Sequence, residues 1–344
     1  MGHAWITAIN ASAEATLVGI VDIDISAAEA AAAGLPDVAT GTDVVAVAKE
    51  SGADAIVDVT VPAAHHPITT AALFAGLPVL GEKPAADSVA KTLSLVAASQ
   101  LTGKLFMISQ SRRYNPQLVA FRSQARKLGD VGLLTTEFFR APRFGGFRDR
   151  MAHPLLLDMS IHPFDTARYL LEAEPESVYC EEFNPSWSWF DGDAAATAVF
   201  RMTTGARYVY TGSWCSPGEE TSWNGSWRLS AAGGFASWNG DDFPVSSPVL
   251  EVEPVEDPGD GIAGALHEFV GALRTGSVPM GEVRDNVRSL TMVEAAVQSA
   301  AVGLPVRIDD VLAQSHADAI RDETRPEVAE VLRSWPSVRD GLTA

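Results

Sequence analysis

Residues 53–84 read ADAIVDVTVPAAHHPITTAALFAGLPVLGEKP. A β-branched apolar run over Ala55–Val61 is followed by an alanine-rich, helix-favouring stretch over His66–Ala75. A second short apolar run, Pro78–Gly81, comes after it. This is a strand–helix–strand unit. Its strands are near-continuously apolar rather than alternating, as in a parallel sheet covered on both faces. The second strand stops at Gly81-Glu82-Lys83-Pro84, where proline removes an amide donor and holds Lys83 extended. Lys83 is thereby placed at the carboxyl edge of the sheet, where ligands bind in open α/β folds. His65 and His66 lie in the loop after the first strand, and one of the two is expected to face the same edge.

The rhythm extends in both directions. Upstream, His3–Ala13 reads as a helix with Trp5, Ile6 and Ile9 on one face. Thr16–Asp22 reads as a strand, and Ser26–Ala33 and Thr42–Ser51 as helices. Downstream, Ser88–Ser99 reads as a helix and Leu105–Ser109 as a strand. Asp22 closes its strand at the position where a dinucleotide fold uses an acid to accept from the adenosine ribose hydroxyls. An acid there repels a 2′-phosphate and so favours NAD over NADP. No strand and no Gly-rich turn precede the first helix. The sequence is therefore expected to be an N-terminally truncated version of the functional protein, with both supplied by residues upstream of Met1.

Near Arg112 the pattern changes. Leu133–Arg140, Ser177–Glu182, Ala194–Arg201, Ala206–Trp214, Ser226–Ala231 and Gly234–Trp238 read as strands, with one helix, Leu155–Leu171, among them. Strands in succession predict a large, mostly antiparallel sheet in an α+β second domain. Ile262–Thr275 and Val283–Val302 follow as amphipathic helices, and the tail after Asp309 is acidic and weakly patterned. The expected division is a Rossmann-like domain over 1–110 and an α+β domain over 111–344.

Composition excludes several function classes. The net charge of −19 repels phosphate backbones and anionic lipid, which argues against nucleic-acid and membrane partners. No apolar run is long enough to span a bilayer, and no export signal is recognisable, so a cytoplasmic location is expected. Cys180 and Cys215 lie far apart without metal spacing and are expected to be free buried thiols.

In HPLLLDMSIHPFDTARYLL, residues 153–171, Asp158, His162 and Asp165 fall at i, i+4 and i+7, on one face of the predicted helix. Carboxylate–imidazole–carboxylate on one stripe could bind a metal, act as an oriented general base, or form a buried polar network. Metal is disfavoured, because two acids would share one ion with a single imidazole, and no resident metal is expected. Six tryptophans between 187 and 238 suit a core or interface, with one or two at a ligand. Arg112, Arg113, Arg140, Arg143 and Arg148 could supply cations to an acidic sugar.

Together the 53–84 stretch, SRRYNP at 111–116 and LLLDMSIHPFDTARYLL resemble the glucose–fructose oxidoreductase / inositol dehydrogenase / MocA-like family, over residues 3 to about 302. The resemblance implies a Rossmann domain and a second domain whose sheet forms a homodimer or homotetramer interface. It also implies hydride transfer between NAD and a hydroxyl-bearing carbon of a sugar, sugar derivative or cyclitol. Carried over position by position, Lys83, Asp158 and His162 are catalytic, with His162 the proton acceptor, and the three converge in one cleft. Asp22, Thr60, Pro62, His65, Glu82 and Lys83 line the cofactor. Arg113, Tyr114, His153, Asp158 and His162 bind substrate. A redox-assisted glycosidase or lyase would use the same residues, and a non-catalytic member that has lost cofactor binding is the third reading.

Overall fold

The computed structural model describes residues 1–251, 259 and 261–343. The chain divides into two compact units. Unit 1 comprises Met1–Ser111, Pro258–Val287 and Ser315–Ala344, and unit 2 comprises Arg112–Asp257 and Arg288–Gln314. The sequence reading had assigned the whole of 111–344 to the second domain; two later stretches instead fold with the first. No helix among the described residues is long and apolar enough to cross a membrane.

The chain begins with α1 (Gly2–Ala11), β1 (Gly19–Val21), α2 (Ile25–Ala32), β2 (Ala39–Gly41), α3 (Val44–Ser51), β3 (Ile56–Asp58) and α4 (Pro62–Phe74). It continues through β4 (Val79–Gly81), α5 (Val89–Thr102) and β5 (Phe106–Ile108). Asp24, Asp43 and Ser88 accept first-turn amides at the starts of α2, α3 and α5, each cap contributing about 1 kcal/mol. The helix expected from His66 begins four residues earlier, at Pro62. Pro62 takes the first position of the helix and the interior Pro67 is carried within it. The strand β2 was not foreseen. A Cβ on its Gly41 would lie 2.5 Å from Val47 Cγ2, so glycine is what lets α3 close onto β2.

All strand pairs in this region are parallel, but they form two ladders. One joins β1 to β2, and the other runs β3-β4-β5. Among the described residues no ladder joins β1 to β3. β4 and β5 are wholly buried and β3 is buried at Asp58, whereas β1 and β2 are half-exposed along their length.

After a 3-10 turn at Ser111–Tyr114 comes α6 (Pro116–Leu128), absent from the sequence reading although Asn115 caps it and Pro116 opens it. Then follow β6 (Val131–Phe139), a π-helical turn at Leu155–Met159, α7 (Ile161–Leu171), β7 (Pro175–Phe183), β8 (Ala195–Met202), β9 (Arg207–Ser213), β10 (Ser226–Ala231), β11 (Gly234–Trp238) and β12 (Val245–Ser247). The order closes with α8 (Gly261–Thr275), α9 (Val283–Val302), β13 (Val306–Arg307), α10 (Ile308–Asp322), α11 (Pro326–Ser334) and α12 (Val338–Gly341). The tail after Asp309 is thus helical, contrary to the weak pattern expected of it. In unit 1, α11 packs on α5, and Trp335 donates to Gln100 Oε1 at 3.1 Å.

Unit 2 is built on eight strands in the order β12-β11-β10-β6-β9-β8-β7-β13. Every pairing is antiparallel except β6 with β9. Helix α7 lies on this sheet through Phe164, whose ring meets Phe200, Tyr208 and Tyr210 edge-on at centroid distances of 4.8–6.1 Å. Trp214, Trp227 and Trp238 are buried, so half of the tryptophan cluster is core. Cys180 and Cys215 are free and buried.

Candidate active site

In unit 1 the carboxyl edge of the parallel strands is held by a small set of polar bonds. The Asp58 carboxylate, at the end of β3, accepts from the Thr60 amide and hydroxyl at 3.1 and 2.7 Å and from Thr69 Oγ1 at 3.2 Å. The Glu82 amide donates to Asp58 O at 2.8 Å, tying the exit of β4 to that of β3. Glu82, expected to line the cofactor, is buried, and its Oε1 accepts from the Trp5 indole at 2.8 Å. It braces α1 against the β4 exit and so fixes the backbone that carries Lys83.

His65 and His66 occupy different settings. His65 is buried, with Nδ1 2.6 Å from Pro84 O and Nε2 3.0 Å from Thr60 O. It joins the two loops that follow β3 and β4. Both neighbours are acceptors, so a neutral ring donates to one of them and a doubly protonated ring to both. His66 instead faces Ser94 Oγ at 3.0 Å, and burial lowers its pKa. Thr60 and Asp22 are exposed at strand exits, and Pro62 is half-buried at the start of α4. One Asp22 oxygen accepts from the Asp24 amide at 2.9 Å.

In unit 2 the predicted single helix over 155–171 is interrupted. The Ser160 amide donates to Leu155 O at 3.0 Å, the five-residue reach of a π turn, before α7 begins at Ile161. Asp158 lies in that wide turn and His162 in the first turn of α7. The expected common stripe of Asp158, His162 and Asp165 is therefore not one functional face. Asp165 is buried and accepts from Arg113 Nε and Nη2 at 2.8 and 2.7 Å and from Ser289 Oγ at 2.7 Å. Arg113, expected to bind substrate, is the buried partner in this bidentate pair, and Tyr114 is buried beside it in sequence.

Asp158 carries a partner that composition had offered only as a loose cation. Arg148 Nε donates to its Oδ2 at 2.8 Å. The remaining arginines are also seated. Arg140 lies 4.3 Å from the Trp223 ring centroid and Arg143 lies 4.0 Å from that of Trp189. A cavity of about 470 Å³ is lined by Ala141, Arg143, Trp187, Trp189, Cys215 and Pro217. His153 Nδ1 stands 2.6 Å from Glu182 Oε2, and burial followed by repulsion from Asp193 pushes the Glu182 carboxyl up to about 8. Glu182 lies on a strand 29 residues from His153, and nothing in the local sequence pairs the two.

Two family descriptions match the chain. "Oxidoreductase family, NAD-binding Rossmann fold" covers residues 1–110, and "GFO/IDH/MocA C-terminal domain" covers residues 120–234. Inositol 2-dehydrogenase 4 of Saccharopolyspora erythraea is 34% identical over 167 residues, 48% of each chain. Inositol 2-dehydrogenase of Rubrobacter xylanophilus is 25% identical over 325 residues, 86% of each chain. Among solved structures, an oxidoreductase from Agrobacterium radiobacter, in complex with NAD+, L-tartaric acid and magnesium, superposes with a TM-score of 0.78 at 17% identity. That match covers 89% of this chain and 95% of the other.

Proposed function

This chain belongs to the GFO/IDH/MocA oxidoreductase family, and on that premise we propose that it transfers a hydride between NAD and a hydroxyl-bearing carbon of a polyol, sugar derivative or cyclitol. The observation that carries this reading is the pair of acid–base groups Asp158 and His162 across the π turn, in a chain that carries Lys83 two residues past the end of β4.

The residues present fit a dinucleotide on two counts. Asp22 is an exposed carboxylate at the exit of β1, open to ribose hydroxyls. The loops after β3 and β4 are fixed by His65, Asp58 and Glu82, which gives a cofactor a preorganised edge rather than a mobile one. Bound nicotinamide would supply the hydride acceptor. Everything else falls to the chain. Hydride leaves a carbinol carbon only as its hydroxyl proton is taken, and His162 is the group whose ordinary pKa suits that task. The Lys83 ammonium stabilises the alkoxide charge that develops. Arg148 fixes the orientation of Asp158, which in turn holds a substrate hydroxyl. The aromatic and arginine surface around Trp187 and Trp189 offers apolar faces to a sugar ring.

The same reading includes a cytoplasmic homo-oligomer. Leu133, Tyr179, Phe183 and Val199, on β6, β7 and β8, are exposed large apolar side chains of the unit 2 sheet. Such a row favours contact with a second copy.

The test is a panel of cyclitols, sugars and glycosides with NAD+ and NADP+, read at 340 nm. NADH formation with a cyclitol or sugar is expected. Aglycone release without NADH would replace dehydrogenation by redox-assisted cleavage, and no turnover or NAD binding in the full-length protein would overturn both.

A further inference from the structure

We propose that His153, Glu182 and Asp193 form a binding site for one divalent first-row metal ion in unit 2. One ligand atom from each residue can be chosen so that all three lie within 4.8 Å of one another. They come from three separate segments: the loop before the π turn, the end of β7 and the loop leading into β8. No resident metal is expected from the sequence, where the only acid–imidazole cluster on one predicted face is Asp158, His162 and Asp165.

The convergence is built into the backbone. Asp191 N–H donates to Asp149 O at 2.8 Å and Asp193 N–H to Ala152 O at 2.9 Å, which docks the 191–193 loop against the segment carrying His153. A Cβ at position 192 would lie 2.1 Å from Ala152 O, so only Gly192 permits this approach. The antiparallel register of β7 and β8 sets Glu182 opposite Ala196, three residues beyond Asp193.

The second observation is the state of Glu182. Its side chain is 1% exposed. One oxygen meets His153, and the other, Oε1, is buried with no hydrogen-bond partner. Leaving a buried acceptor in that condition costs about 1–3 kcal/mol, more when it is charged. The neighbouring charge is that of Asp193, of the same sign, and among the described residues neither acid is paired with a lysine or arginine. Two carboxylates and an imidazole with no cation between them are a donor set for a metal.

The donor chemistry narrows the ion. One imidazole nitrogen with two carboxylate oxygens suits Zn²⁺ or Mn²⁺, whereas Mg²⁺ and Ca²⁺ prefer oxygen alone. Ligands about 2.1 Å from an ion stand roughly 3–3.5 Å apart, so closure requires side-chain movements on the order of an ångström. Three protein donors leave positions open to water or to a hydroxyl or carboxylate oxygen.

The experiment uses the full chain stripped with a chelator and dialysed. Zn²⁺ and Mn²⁺ are titrated by calorimetry, and Co²⁺ is followed by its visible absorption. One saturable site per chain is expected, with a rise in Tm on adding Zn²⁺. Glu182→Gln and His153→Ala should each weaken binding at least tenfold and remove the Co²⁺ band. His267→Ala, at the surface of unit 1, should leave binding unchanged, as should Asp158→Asn. The proposal is overturned if the parent chain shows no saturable binding up to millimolar metal. It is equally overturned if binding survives in Glu182→Gln and His153→Ala or is lost in Asp158→Asn, which would move the ion to the Asp158 and His162 pair.

Discussion

Asp165→Ala is expected to destabilise unit 2 by about 3–5 kcal/mol, the cost of removing one partner from a buried ion pair. The geometry places the pair in that class. The side chains of Arg113 and Asp165 are 7% and 3% exposed, the contact is bidentate at 2.7–2.8 Å, and Ser289 adds a third bond at 2.7 Å. The Arg168 guanidinium also stands 3.9 Å away, so the substitution leaves two buried cations facing the space of one lost carboxylate. Asp165→Asn keeps the shape and loses the charge, and should cost roughly half as much, since hydrogen bonds to charged groups contribute about 1.5–3 kcal/mol. The double substitution Asp165→Leu with Arg113→Met should recover most of the loss, because apolar groups of similar volume often replace a buried pair at little cost. Urea unfolding followed by tryptophan fluorescence reports this directly, through the buried Trp214, Trp227 and Trp238. With an m-value of about 1–3 kcal/mol/M, the midpoint should fall by roughly 1–5 M. A loss below about 1 kcal/mol for Asp165→Ala, or a double variant no more stable than the single, would refute the reasoning.

Lys83→Ala should lower kcat by about 10²–10³, the usual effect of deleting one preorganised donor, and a near-normal turnover number would remove Lys83 from the chemistry. Asp22→Ser should relax the preference for NAD, read as the ratio of kcat/KM for NAD+ and NADP+; an unchanged ratio would free Asp22 of that role. Trp5→Phe keeps the ring but deprives the buried Glu82 carboxylate of its indole donor, so unit 1 should lose about 1–3 kcal/mol in thermal or urea unfolding. Burial pushes the Cys180 thiol up to about 12, leaving on the order of one thiolate in 10⁴ at pH 8. Native protein should therefore show no fast Cys180 alkylation, whereas urea should expose it; rapid labelling of the folded chain at that site would contradict its burial.

The parallel strand–helix rhythm was legible because Ile56–Asp58 and Val79–Gly81 are apolar runs closed by Gly and Pro signals. By contrast, β2 and β13 are two or three residues long and carry no pattern of their own, so only their pairing partners define them. Helix α6 was missed because polar and charged residues make up much of it, although Asn115-Pro116 is a sound start signal. Candidate residues stand out in the sequence where one short segment holds them, as at Lys83 or at Asp158 and His162. They do not where contacts span the sequence: Trp5 with Glu82, Arg113 with Asp165, and His153 with Glu182 are 77, 52 and 29 residues apart. Counting i, i+4 and i+7 failed at Asp165 because that count assumes an unbroken α-helix.

The wide turn at Leu155–Met159 makes chain length itself a constrained quantity here. An α-helix advances about 100° and 1.5 Å per residue. Deleting one residue between Leu155 and Met159 would let the segment close as ordinary α-helix, with every backbone bond made. It would also swing Asp158 and His153 by about 100° relative to His162 and the rest of α7. Such a deletion should be mild in folding assays and severe in catalytic ones. Substitutions of Leu155, Leu156 or Met159 that preserve the turn's length should show the reverse balance, since these three side chains are buried against the fold. Homologous chains that share this chemistry are thus expected to vary in the apolar residues around Asp158 before they vary in the length of the turn.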